Sequence, residues 1–336
     1  MNLKVIEIDS FELGSGEHYN VKLTYQVFGQ ALYTAPIVLI NHALTGNSNV
    51  GGDNGWWNEI IGFGKVVDTS VYTVLAFNIP GNGFCQDSEY FTKDYFKFRA
   101  SDIARVFTIG LDRLRICSLY AIIGGSVGGG LVWEMAKLRP QLAQHLIPIA
   151  TDWKSTDWLV ANCYIQDQLL NNSSRPVEDA RRHAMTFYRT PESLNSKFKG
   201  EQNNGQSKVE SWLNHHGRDL DKRFSVSAYK MLNQILKSIK TADSKGEFLE
   251  WAQYISGNIH IITINSDLLF KPDENWNTFI DLKTVKDNVT IGEIKSIHGH
   301  DAFLIEYQQL AKLLKPIFQY KHSKNDNYKL SYIRHW

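Results

Sequence analysis

One stretch, Tyr120-Ala-Ile-Ile-Gly-Gly-Ser-Val-Gly-Gly-Gly130, constrains this chain more than any other. An apolar strand runs through Gly124-Gly125-Ser126-Val127-Gly128 into a helix pattern beginning near Leu131. A serine on a sharp turn between strand and helix is pushed out of the sheet, and glycines two residues before and after it remove side chains that would clash there. Ser126 is therefore the candidate nucleophile. Taken alone, the same glycine-rich turn also fits tight packing or a phosphate cradle, so the reading rests on what else the chain supplies.

A serine hydroxyl is a weak nucleophile unless a histidine takes its proton, and that histidine needs a carboxylate to hold its tautomer and stabilise its cation. Both follow in order. Asn258–Ser266 reads as a buried strand with Asp267 at its carboxyl end, before the turn signals Lys271-Pro272-Asp273. Asn288–Ser296 alternates like a strand and leads into Ile297-His298-Gly299-His300-Asp301. Asp267 is preferred over Asp273 because it lies closest to the strand end, and His300 over His298 because it follows Gly299 and precedes the apolar run Ala302–Ile305. Acyl transfer also needs donors for an oxyanion. Val127, next after the serine, supplies one amide. Leu44 supplies the other, in Asn41-His42-Ala43-Leu44-Thr45-Gly46, which follows the strand at Pro36–Ile40.

Eight strands are expected near residues 3 to 8, 21 to 28, 36 to 41, 71 to 78, 118 to 124, 145 to 150, 259 to 266 and 289 to 296. The first two read as an antiparallel lead-in, and the later apolar runs with helical connections as a parallel, doubly wound sheet with helices on both faces. The long gap between the sixth and seventh strands reads as an inserted helical cap. The expected division is a first core part at 1–151, the cap at 152–257, a second core part at 258–320 and a polar tail at 321–336. Within the cap, Lys199–Lys208 is polar and reads as a flexible loop.

Composition narrows the function classes. The 336 residues, 43% of them hydrophobic, support a sizeable core, and a net charge of +1 with dispersed Lys and Arg leaves no electrostatic footprint for nucleic acid. No window approaches the roughly 18 uncharged apolar residues of a membrane span, and acids interrupt the apolar amino terminus, which argues against a signal peptide. Cys85, Cys117 and Cys163 are far apart with no metal-ligand spacing, so no metal is expected and a reduced, cytoplasmic setting is.

Asn41-His-Ala-Leu-Thr-Gly46, Gly124-Gly-Ser-Val-Gly-Gly129, Tyr188-Arg-Thr-Pro-Glu192, Val209-Glu-Ser-Trp-Leu213, Ser266-Asp-Leu-Leu-Phe270 and Gly299-His-Asp-Ala-Phe-Leu304 stand in order over roughly residues 36 to 310. Together they resemble the homoserine O-acetyltransferase family of the α/β-hydrolase superfamily. The resemblance implies the α/β-hydrolase fold and ping-pong transfer of an acetyl group from acetyl-CoA to the hydroxyl of L-homoserine, in methionine biosynthesis. It implies no bound cofactor, with acetyl-CoA as co-substrate, and a homodimer formed through the cap. It also implies that Arg189 pairs with the substrate carboxylate and that Asp301 meets the substrate ammonium. Two departures bear on specificity. Asn78–Gln86 lacks the family's usual glycine-rich stretches, and Arg223-Phe-Ser-Val-Ser-Ala-Tyr229 has lost the Asp and Asn of Arg-Phe-Asp-x-Asn-Ser-Tyr. Succinyl-CoA as donor, serine as acceptor, and hydrolysis as an esterase or thioesterase stay open at this point.

Overall fold

The computed structural model describes residues 3–84 and 93–319. Cys85, the end of the Asn78–Gln86 stretch and the polar tail lie outside the described residues. Eight strands form one sheet: β1 (Lys4–Glu12), β2 (His18–Gly29), β3 (Ile37–Asn41), β4 (Thr73–Phe77), β5 (Leu119–Gly125), β6 (Ala143–Ile149), β7 (Asn258–Ile264) and β8 (Val289–Ile294). Their spatial order is β1-β2-β4-β3-β5-β6-β7-β8. β1 pairs antiparallel with β2 and β2 antiparallel with β4, and every other pairing is parallel. The expected lead-in and doubly wound sheet are both present.

The central strands are apolar at nearly every position because the sheet is covered on both faces. Alternate residues feed two separate cores. Leu39, Leu75, Ile122 and Leu146 join the side chains of α1 (Ala100–Arg113) and α2 (Val127–Leu138) on one face. Val38, Val74, Ile123 and Ile147 join Trp57, Phe303 and the carboxyl-terminal helix (Tyr307–Leu314) on the other. Asp102 locks α1 in place: one carboxylate oxygen accepts from the Gly14 amide at 2.9 Å and the other from the Arg99 amide at 3.0 Å, so the lead-in hairpin is tied to the helix start.

Between β6 and β7 the chain forms α3 (Asp157–Asn172), α4 (Pro176–Tyr188), α5 (Pro191–Phe198), α6 (Lys208–Asp221), α7 (Val226–Lys237) and α8 (Lys245–Ala252). Threonine or serine side chains cap α3, α5, α7 and α8, and proline opens α4 and α5. Lys199–Lys208 is not a featureless loop. Gln202–Asn203 pairs antiparallel with Gln206–Ser207 across Asn204 and Gly205, both at positive φ. An Asn-Gly pair takes up the left-handed conformations of a tight hairpin turn with little strain, a signal that the polarity of the stretch obscures.

Candidate functional site

The site forms where β5 turns into α2. Ser126 sits at φ 57° and ψ −125°, a strained conformation for a residue with a side chain, and its amide is held at 2.9 Å by the Ile149 carbonyl of β6. The glycines around it answer to sterics. A Cβ on Gly124 would lie 2.1 Å from the Gly128 carbonyl oxygen, and one on Gly128 would lie 2.3 Å from that of Asn41. Backbone on all sides leaves nothing free to move aside. Gly124→Ala is therefore expected to destabilise the fold by about 3 kcal/mol or more. Gly246→Ala in α8, where the nearest atom stands 3.8 Å away, should instead be neutral or stabilising by up to about 1 kcal/mol. Denaturant midpoints of the two variants decide the matter, and similar values would show that the turn relaxes around the extra carbon.

Three side chains converge at the turn. His300 Nε2 lies 2.9 Å from Ser126 Oγ and accepts its proton, while His300 Nδ1–H donates to Asp267 Oδ2 at 2.7 Å. The other Asp267 oxygen accepts from the amides of Leu269 at 2.7 Å and Phe270 at 3.0 Å. All three are nearly sealed from solvent: Ser126 is 4% exposed, Asp267 2% and His300 4%. Burial alone would push the His300 imidazole down, but the Asp267 charge and hydrogen bond, with Asp301 adding to them, outweigh it and hold His300 above its ordinary 6.5. Rings of Tyr188, Phe270 and Phe303 box the imidazole at centroid distances of 5.6, 5.9 and 5.7 Å.

Geometry separates the rival residues. Asp273 sits in the first turn of the helix Pro272–Lys283, where an acid stabilises the helix start. His298 faces away, with Nδ1 at 2.8 Å from Arg189 Nη2 and 3.0 Å from Ser193 Oγ. Gly299 at φ 69° turns the chain between the two histidines. The run after His300 is a 3-10 helix, Gly299–Leu304, and Phe303 packs beneath Gly125. Ser266 joins the two partner loops, donating to the Ser296 carbonyl at 2.6 Å and accepting from the Gly299 amide at 3.1 Å.

Val127 is the first residue of α2, where an amide has no acceptor within the helix, and the Leu44 amide has no hydrogen-bond partner among the described residues. His42 shapes the second loop. Its Nδ1–H donates to the Ala43 carbonyl at 2.8 Å and its Nε2 accepts from the Ile79 amide at 3.0 Å, and burial pushes it down to about 4, so it stays neutral and keeps one tautomer.

A cavity of about 50 Å³ opens above Ser126 and His300, bounded by Leu44, Tyr188, Arg181 and Asp301. The expectation for Arg189 needs correcting on this point. Its guanidinium is buried against Ser193 Oγ at 2.7 Å and His298, with the Trp212 ring 5.9 Å away, and it does not bound the cavity. The guanidinium that does is Arg181, which lies over the Tyr188 ring at 5.6 Å and makes no hydrogen bond or ion pair among the described residues. The sequence did not single out Arg181: Glu178 stands three residues before Arg181 and four before Arg182, both helical pairing distances, and only the structure gives Glu178 and Asp179 to Arg182 and leaves Arg181 without an ion pair among the described residues. Asp301 likewise makes no hydrogen bond among the described residues. Burial pushes its carboxyl above the ordinary range, with Arg181 and then His300 working against the rise.

The sheet order, a serine at positive φ between strand and helix, and a histidine and aspartate from the two following strand ends define the α/β-hydrolase architecture. Residues 36–284 match the family model described as the alpha/beta hydrolase fold, and the chain belongs to that family. It is similar to proteins named homoserine O-acetyltransferase, at 28% identity to that of Moorella thermoacetica (89% of this chain, 91% of the relative) and 29% to that of Trichormus variabilis (90% of each). Among solved structures, homoserine O-acetyltransferase from Bacillus anthracis superposes with a TM-score of 0.83 at 18% identity, over 96% of this chain and 98% of that one. An acetylester hydrolase from Corynebacterium glutamicum superposes at 0.78 and 19%, over 95% and 96%.

Proposed function

We infer that this chain is a homoserine O-acetyltransferase, with Ser126 as nucleophile, His300 as base and Asp267 as its orienting acid. Ser126 Oγ attacks the acetyl carbonyl of acetyl-CoA as His300 Nε2 takes its proton. The amides of Leu44 and Val127 receive the oxyanion, and the thiol leaves with the proton. The homoserine hydroxyl then gives its proton to His300 and attacks the acetyl-serine, and Ser126 recovers the proton as the ester departs. No charge is left over at either stage. The single observation that carries the choice of acceptor is the Arg181 guanidinium, without an ion pair among the described residues, and the Asp301 carboxyl bounding one cavity with Ser126. They suit the carboxylate and ammonium of an amino acid, and Arg181 takes the role first expected of Arg189.

Hydrolysis differs only in that water resolves the acyl-enzyme, and the likeness to an acetylester hydrolase supports keeping that reading beside the first. Thiol release is the test, with acetyl-CoA or succinyl-CoA as donor and L-homoserine, L-serine or no acceptor. Homoserine-dependent release from acetyl-CoA is expected, and release indifferent to the acceptor would make the protein a thioesterase. Arg181→Gln is expected to raise the homoserine KM about 10- to 100-fold, the worth of one charge-assisted bidentate contact, and to raise the KM for an aryl acetate far less. Equal changes would remove Arg181 from the acceptor site. Exposed Trp158, Tyr164 and Ile165 on α3 support assembly as a homodimer through the cap, which sedimentation would detect. Among the described residues no helix is long and apolar enough to cross a membrane.

A further inference from the structure

The stretch that begins at Asn78, a departure in the sequence that the triad does not use, sends two asparagine side chains to the loop of Leu44. Asn78, Asn82 and His42 are all buried. Asn78 Nδ2 donates to Thr24 Oγ1 at 2.9 Å and to Ser48 Oγ at 3.0 Å, and Ser48 Oγ donates in turn to Gln26 Oε1 at 2.7 Å, so the chain of hydrogen bonds starts on β2. Asn78 Oδ1 accepts from the Ser48 amide at 2.8 Å and from Asn82 Nδ2 at 3.0 Å. Asn82 Oδ1 accepts from the Phe84 amide at 3.1 Å, which leaves Nδ2 for Asn78 and for His42 Nε2 at 3.2 Å. Each amide is thereby held in one orientation by its neighbours.

Two donors, the Ile79 amide at 3.0 Å and Asn82 Nδ2, converge on His42 Nε2, so that nitrogen carries no proton and the ring proton sits on Nδ1. Nδ1–H then donates to the Ala43 carbonyl at 2.8 Å, and the Gly46 amide donates to the same oxygen at 2.9 Å. The Ala43 carbonyl shares its peptide plane with the Leu44 N–H. No peptide bond among the described residues is cis, and in a trans peptide the C=O and the N–H point to opposite sides. Donors that hold the Ala43 oxygen therefore fix the direction of the Leu44 amide, in a loop that bounds the cavity with Ser126.

We propose that His42 is a positioning residue: kept in one tautomer by the Ile79 amide and Asn82, it grips the Ala43 carbonyl and so aims the Leu44 amide at the oxyanion. This rests on the acyl-serine reading with Leu44 as a donor. An oxyanion donor is effective when it is aimed before the charge develops, because no reorganisation is then needed during the reaction.

Two variants of similar shape separate aim from stability. His42→Asn places its Nδ2 close to the position of the imidazole Nδ1 and can still donate to Ala43. His42→Gln reaches to the position of Nε2, can still accept from Ile79 and Asn82, and leaves Ala43 without a side-chain donor. For folded protein, kcat/KM for an aryl acetate and for acetyl-CoA is expected to fall about tenfold or more in His42→Gln, up to the roughly 10³-fold of a lost oxyanion donor, and only a few-fold in His42→Asn, with the homoserine KM unchanged in both. Affinity for an aryl trifluoromethyl ketone, whose adduct with Ser126 carries the oxyanion, should fall by the same factors as kcat/KM. Equal losses in the two variants, or activities that follow their melting temperatures, would overturn the proposal and leave His42 a packing residue. Nitrogen-15 spectra of the unaltered protein supply a reading that needs no variant: a neutral His42 with its proton on Nδ1 is expected, and a proton on Nε2 would overturn the proposal. A ketone that fails to bind the unaltered protein would instead refute the acyl-serine reading, and the proposal with it.

Discussion

Ser126→Ala is expected to lower kcat/KM for thioester turnover by about 10⁴-fold or more, because removing a nucleophile from a coupled triad leaves only the catalysis that oxyanion donors and binding supply. The fold should survive. Alanine keeps the Cβ that Ser126 already carries at φ 57°, so the strain of the turn is neither added to nor relieved. Ser126→Gly should be equally inactive yet unfold at a higher temperature than Ser126→Ala, since glycine occupies that region freely. The pair of variants thus tests chemistry and strain at one position. A Ser126→Ala protein that keeps its fold and more than about a hundredth of its activity would end the acyl-serine mechanism, whose non-triad remainder is far smaller.

Asp267→Asn is expected to cost about 10⁴-fold in kcat, as an amide no longer fixes the Nδ1–H tautomer of His300 and His300 Nε2 ceases to face Ser126 as an acceptor. The pH dependence carries a second, independent reading. His300 must be neutral to accept the serine proton, so activity rises with pH through its folded pKa. With Asp267 in place that pKa is held above 6.5, and the rising limb lies above 6.5 with it. Remove the charge and burial, the largest influence on His300, dominates and pulls the limb to lower pH. The residual activity of the variant, measured from pH 5 upward with a fluorogenic ester, should therefore begin to rise earlier than that of the unaltered protein. A limb that stays in place would mean that some group other than His300 titrates in the rate.

The sheet and the triad were legible because their signals are local. Apolar runs such as Ile37–Asn41 and Leu119–Gly125 must be buried on both faces, and Gly124 and Gly128 flank Ser126 because backbone fills the space where side chains would be. Asp267 and His300 each stand where a strand ends, so their order along the chain carried the inference. Residues on the cap were another matter. Arg189 and Arg181 are two turns apart on α4 and its carboxyl end, both arginine, and in the fold each lies by an aromatic ring, Trp212 for the first and Tyr188 for the second. Which one faces the cavity depends on the angle at which α4 crosses the strand ends, and no residue in the helix records that angle. Likewise His298 and His300 differ in role through the turn at Gly299 and through Arg189 at the end of α4 and Ser193 in α5, which come from far along the chain to claim His298.

What the amino-acid sequence determined by itself is the scaffold and its reactive centre, since burial of apolar strands and the steric demands of one strained turn are written in neighbouring residues. The tertiary structure alone decided which charges line the cavity and which lie behind it. That choice depends on long-range packing of helices against the sheet, where a rotation of a fraction of a turn exchanges a buried guanidinium for one that bounds the cavity.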